Sequence, residues 1–323
     1  MKKSSLFLDA LHCRNRGRPP VWLMRQAGRY LPEYRKLREK YSLRELFLTP
    51  ELAAQVTKMP IEILGVDAAI LFSDITVVVL ALGLQLDFKE GPQIAGTIGR
   101  RDVEVLRPIA EAIRLVKGDV PLIGFCGGPF TVASYVIEKE HASDLPMTKK
   151  FMVREPEKFE ALLETICGVT VEYLQMQEEA GVDAVQIFDS WAHVLTREDW
   201  LRFCAPYLQK LIEAVKVPVI VFMRGASTRA EELAMLQPRG ISFDWQRPMQ
   251  ELRRSVPKEM AMQGNLDPDL LYAPLPMIRR KTEELLESMR GDGGFIVNLG
   301  HGVKPDMPVD AVRALVETVK GFS

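Results

Sequence analysis

The sequence predicts a single-domain α/β protein of the TIM-barrel type, and three observations carry that prediction. Short apolar runs rich in β-branched residues alternate with longer segments of helical spacing. The runs are continuously apolar rather than alternating, as strands covered on both faces are. Each run also ends in polar or glycine-rich residues, where a parallel barrel carries its active site.

The eight expected strands are PVWLM (20–24), AAILF (68–72), PLIGFC (121–126), AVQIF (184–188), PVIVFM (218–223), ISF (241–243), MAMQ (260–263) and FIVN (295–298). The first, sixth and seventh carry the least signal. Between them, Thr49-Pro50-Glu51 reads as an N-cap followed by proline at the first helical position. Residues 154–180 place Phe159, Leu162, Leu163, Ile166 and Val169 at helical spacing and stop at Gly181, and a last helix starts at Pro308. Eightfold alternation favours a closed barrel over an open doubly wound sheet. No GxGxxG follows the first run, which lowers a dinucleotide-binding reading. The whole of 1–323 reads as one barrel domain, with 1–19 as an N-terminal extension.

Composition narrows the function. Lys+Arg is 42 and Asp+Glu is 43 in 323 residues, so no basic surface for nucleic acid is expected. Four dispersed cysteines do not form a disulfide framework, and they suit a cytoplasmic, reducing compartment. No apolar run is long enough for a membrane span, and the N-terminus is too short and too charged for a signal peptide.

Chemistry collects after the strands. Arg25 and Arg29 follow the first and flank Gly28; Ser73 and Asp74 follow the second; GGPFTVASY (127–135) follows the third. Asp189 and Ser190 follow the fourth, Arg224 the fifth, Asp244 the sixth, GNLDP (264–268) the seventh, and His301 the eighth. Paired arginines suit carboxylates, because the planar guanidinium fork matches them. A carboxylate such as Asp74 at the mouth of an apolar barrel needs a partner.

Taken together, MRQAGRYLPEYR, FSDI, GFCGGPFTVASYVIE, IFDSWA, QGNLDP and NLGHGVKPDMP resemble the uroporphyrinogen decarboxylase family, in order and from Pro20 to Pro308. The resemblance implies a cofactor-free, metal-free barrel, usually a homodimer, in haem and tetrapyrrole biosynthesis. Such an enzyme converts the four acetate arms of uroporphyrinogen III to methyls, giving coproporphyrinogen III and carbon dioxide. It implies that Arg25 and Arg29 bind substrate carboxylates, and that one of them helps deliver the proton. It implies too that Asp74 faces the pyrrole N–H groups and stabilises the cation formed when a ring carbon is protonated, so that the substrate is its own electron sink. The resemblance likewise implies that Tyr135 contacts substrate and orients Asp74, and that Ser190 and His301 bind substrate carboxylates. His12, His141 and His193 read as structural. Asp244, Asn265 and Asp267 read as ties between loops, Phe72 and Phe130 as possible pocket walls, and Gly127, Gly128 and Gly264 as points of close approach. Two stretches depart from the family pattern, ThrValValValLeu (76–80) and LysGluHisAla (139–142), and they affect loop geometry.

Three other readings compete. Related barrels transfer methyl groups with zinc held by histidine and cysteines, but no His-x-Cys occurs after the fifth strand or elsewhere. A phosphate-binding barrel would use a glycine-rich loop near the last strands, which NLGHGVK partly resembles. A tetrapyrrole-binding protein without catalysis is the third possibility.

Overall fold

A computed structural model describes residues 5–88, 91–116, 118, 120–139 and 144–323. His141 and residues 140–142 of the second departure lie outside the described residues.

The strands are β1 (Ala69–Ile70), β2 (Gln85–Phe88), β3 (Pro92–Ala95), β4 (Leu122–Gly127), β5 (Ala184–Phe188), β6 (Val219–Phe222), β7 (Gly240–Ser242), β8 (Ala261–Leu266) and β9 (Phe295–Leu299). Seven form one parallel sheet in the order β1-β4-β5-β6-β7-β8-β9. The eighth expected strand, 20–24, is reduced to a single parallel bridge, Val21 to Val297. It still joins the two sheet edges. Val297 N donates to Pro20 O at 2.9 Å on one side, and Asp67 N donates to Val21 O at 2.8 Å on the other. Pro19 and Pro20 bring no N–H to a ladder. Asp67 then accepts Val21 N at 2.8 Å and a bidentate contact from Arg18 at 2.7 and 2.8 Å. A side chain thus takes over part of the hydrogen bonding a regular strand would make.

The apolar runs are continuous because both faces are covered. Val21, Leu23, Val185, Ile187, Val219, Val221, Met262 and Val297 join the outer core, beneath the helices. Their neighbours Trp22, Met24, Ile123, Ala184, Ile220, Ala261 and Ile296 form a separate inner cluster. The helix Leu6–Leu11 sends Phe7, Ala10 and Leu11 into that inner cluster, so this N-terminal segment packs as part of the barrel interior. Above it lies a buried polar layer. Trp22 Nε1 donates to Gln263 Oε1 at 2.9 Å, and Gln263 Nε2 donates to Gln186 Oε1 at 3.0 Å and Ser242 Oγ at 2.9 Å.

The helices follow their sequence signals. Pro50–Leu64 begins after Thr49 with proline in its first turn. Pro156–Ala180 ends on Gly181, whose φ of 110° lies where a side chain is strained. Val309–Gly321 closes the chain. The departure at 76–80 is a buried 3₁₀ turn, Val77–Leu82, leading into the β2–β3 hairpin, which had no counterpart among the expected strands. Among the described residues no helix is long and apolar enough to cross a membrane.

Candidate active site

The C-terminal ends of the strands hold an aromatic floor beneath charged side chains. Phe125, Phe188, Phe222 and His301 run edge to face around the mouth, with ring centroids 5.7, 5.6 and 5.9 Å apart. These rings come from β4, β5, β6 and the loop after β9. Phe125 and Phe222 are buried, so the rings open to a flat ligand are Phe188 and His301. Phe72 packs against Tyr34 and Phe47. Phe130 is fully buried against Phe159 in the helical layer, so it is not a pocket wall.

Asp74 stands just past β1, half-buried. Its Oδ1 accepts Thr76 N at 2.8 Å and Thr76 Oγ1 at 2.5 Å. This local turn opens the Val77–Leu82 segment and holds the carboxylate in one pose. Burial raises its pKa, against the opposing pull of Thr76 and of the Arg25 charge. Arg25 is exposed, with a left-handed φ of 59°. Its aliphatic stem packs on Gly302, where an added Cβ would lie 2.5 Å from Arg25 Cδ. Gly302 therefore makes the room in which Arg25 crosses beside His301.

Tyr135, on the helix Pro129–Glu138, sits among Asp74, Arg25 and Arg224. Burial raises its phenol pKa; the Asp74 charge adds to the rise, and the two arginines oppose it. The start of its helix is anchored from below. Fully buried Asp189 accepts Thr131 N at 3.1 Å and Thr131 Oγ1 at 2.7 Å, and Thr131 Oγ1 accepts Trp191 N at 3.0 Å. Gly128 is required here, because a Cβ would fall 2.4 Å from Asp189 Cγ. Burial pushes the Asp189 carboxyl up to about 6, partly offset by the Thr131 hydrogen bonds. His301 is lowered to about 3 by burial and by the nearby Arg25, Arg224 and Lys304 charges. At neutral pH it is an uncharged imidazole, able to donate one hydrogen bond.

Arg25, Asp74, Tyr135 and His301 therefore share one electrostatic neighbourhood. Arg29 does not join it: it is exposed, and its charge is felt by Tyr34 beside Arg38, at the rim. Ser190 is half-buried, and its carbonyl accepts a hydrogen bond from His193 Nδ1 at 2.9 Å. Asp244 and Asn265 act as ties. Asp244 accepts Ser227 N at 2.9 Å and Ser227 Oγ at 2.8 Å, and Asn265 Nδ2 donates to Asp244 O and Arg247 O. Asp267 Oδ1 accepts Asp269 N at 2.9 Å. Gly264 approaches its own chain rather than open space, with an added Cβ 2.7 Å from Phe243 O.

The site also holds residues the sequence reading did not select. Arg224 lies over Trp191, its Cζ 4.8 Å from the ring centroid. Trp191 meets Tyr135 edge-on at 6.4 Å and stacks with His193 at 6.0 Å. The one sequence signal for Arg224 was its position directly after an expected strand. Among the described residues no group of three or more His, Cys, Asp and Glu converges to hold a metal. Cys126, Cys167 and Cys204 are buried free thiols, and burial raises the pKa of each.

Fold and site together define a barrel enzyme whose mouth sets guanidinium groups and one constrained carboxylate over an aromatic floor. The family model for uroporphyrinogen decarboxylase (URO-D) matches residues 2–322. A uroporphyrinogen decarboxylase from Protochlamydia amoebophila is 48% identical over 97% of this chain and 90% of its own length. One from Geobacter sp. is 41% identical over 98% of each. Among solved structures, a methyltransferase from Methanosarcina mazei superposes with a TM-score of 0.83 at 22% identity, covering 98% of this chain and 99% of its own. That likeness concerns the fold alone. The chain belongs to the uroporphyrinogen decarboxylase family.

Proposed function

We propose that this protein decarboxylates the four acetate arms of uroporphyrinogen, giving coproporphyrinogen and carbon dioxide in tetrapyrrole biosynthesis. The observation that carries the reading is the convergence of Arg25, Asp74, Tyr135 and His301 at one barrel mouth, in a chain matched to this family from end to end. At each step a proton adds to the pyrrole carbon next to the one bearing the acetate arm, making a ring cation whose charge reaches the arm-bearing carbon. The bond to the carboxylate breaks, carbon dioxide leaves, and the electron pair neutralises the ring. A second proton converts the resulting methylene to methyl while the ring carbon loses the first. The net change is one proton taken up and one carbon dioxide released per arm.

Asp74 is the counter-ion to the ring cation, held ready by Thr76. Tyr135 orients Asp74 and touches the macrocycle. Arg25, beside Asp74, is favoured over Arg29 for delivering the proton, while Arg29 and Ser190 hold outer carboxylates. His301, neutral in the free protein, donates one hydrogen bond to a carboxylate. Uroporphyrinogen has eight carboxylates, and the unpaired guanidinium groups suit such a ligand. We further infer a homodimer with mouths facing each other and a cytoplasmic location; sedimentation as a monomer only would overturn the first.

The test is anaerobic incubation of metal-stripped protein with freshly reduced uroporphyrinogen, with products resolved by carboxyl number. Seven-, six-, five- and four-carboxyl products are expected without any added cofactor. No product from folded protein would overturn the proposal.

A further inference from the structure

Arg224 has the features of a ligand anchor rather than a structural cation. It follows β6, the fifth stave of the barrel counted from the 20–24 segment, so it stands across the mouth from Arg25. Its Nε is buried without a hydrogen-bond partner. The groups it faces are the neutral Tyr135 hydroxyl and the repelling Arg25 charge, and burial lowers its pKa. Among the described residues no carboxylate acts on it. His193 and His301 both feel it as a positive neighbour, and Lys149 stands beside His193. The face of Trp191 supports the guanidinium at 4.8 Å.

A half-buried guanidinium with an unpaired donor, facing a second guanidinium, is costly unless an anion enters between them. We propose that Arg224 binds a carboxylate of the tetrapyrrole substrate from the side of the mouth opposite Arg25, with Trp191 as the platform that fixes its plane. This assignment rests on the reading of the mouth as a uroporphyrinogen site. Trp191 is the positioning residue: its ring backs the guanidinium at 4.8 Å and restricts how the planar fork can turn. A lysine could supply charge there, but not the paired donors or the flat stack.

The test compares wild type with Arg224→Gln, Arg224→Lys and Trp191→Leu. Two readouts are used: kcat and KM for uroporphyrinogen, and the Kd for uroporphyrin from quenching of protein fluorescence. Losing a charge-assisted contact should raise KM and Kd by about 10- to 100-fold in Arg224→Gln, with kcat changed less than about threefold. Arg224→Lys should recover part of the affinity, and Trp191→Leu should show a smaller rise in KM than Arg224→Gln at unchanged kcat. The wild-type affinity should also fall more steeply with salt than that of Arg224→Gln. Unchanged KM and Kd in folded Arg224→Gln would overturn the assignment. If wild type binds uroporphyrin without turning over uroporphyrinogen, the Kd comparison decides the anchor and only the proposed reaction falls.

Discussion

Gly302→Ala tests the pose of Arg25 without altering the arginine. Gly302 is buried, and its φ lies outside the left-handed region, so alanine can take its backbone conformation. The new Cβ would stand 2.5 Å from Arg25 Cδ, 2.7 Å from Cγ and 3.1 Å from Cβ. Carbon atoms rest at about 3.5–4.0 Å, so the stem must retreat by about 1 Å. Arg25 is exposed and flexible at its end, so the folding cost is that of an off-rotamer side chain, about 0.5–1.5 kcal/mol. A reacting group misplaced by about 1 Å can cost about 100-fold in rate. Turnover of uroporphyrinogen should therefore fall by about that factor, while the urea midpoint moves little. The double variant with Arg25→Ala should be no slower than Arg25→Ala alone, because Gly302 acts through Arg25. Turnover within about threefold of wild type would refute the reasoning. So would a loss of more than about 3 kcal/mol of stability, which would make Gly302 a packing residue.

Asp74→Asn keeps an oxygen for Thr76 N and Oγ1 but removes the negative charge. It should lower kcat by about 100- to 1,000-fold, the range for losing one electrostatic stabiliser, with equal or higher stability, since burial already disfavours the charged form. Equal loss of folding, read by urea unfolding, would show a structural role instead. Asp189→Asn addresses pH. The folded carboxyl titrates at about 6 against an ordinary value of 3.8, so the folded state binds the proton more tightly. That stabilisation is present below pH 3.8 and is lost as pH rises through about 6. Wild type should thus gain about 2 kcal/mol between pH 7.5 and pH 4.5 relative to Asp189→Asn, measured as the difference between their unfolding free energies. A pH-independent difference would remove the buried charge as its cause. His301→Gln should remove an opposite trend. With its pKa down at about 3, His301 weakens the fold as pH falls below 6.5, and an unchanged acid limb in a pH series of urea melts would contradict this.

Much of the barrel was legible because burial on two faces leaves a local signature. Runs such as VIVF are apolar throughout because Val219 and Val221 face the helices while Ile220 faces the interior. The 20–24 stretch carried the same signature but pairs at only one residue, since its neighbouring prolines and the Asp67 side chain replace a regular ladder. The inward packing of Phe7 and Leu11 was not visible, because a short amphipathic helix does not reveal which surface it will cover.

The sequence by itself determined where chemistry could sit: Arg25, Asp74, Ser190, Arg224 and His301 each stand within a few residues of the end of an apolar run, and Tyr135 stands on the helix that follows one; that much is local information. Which of them face each other was decided only in three dimensions. Closing the sheet set Arg25 and Arg224 across one mouth, brought His301 beside both, and left Arg29 on the rim. Electrostatic partnership depends on distance through space, and that distance is created by the parallel pairing of staves far apart in the chain.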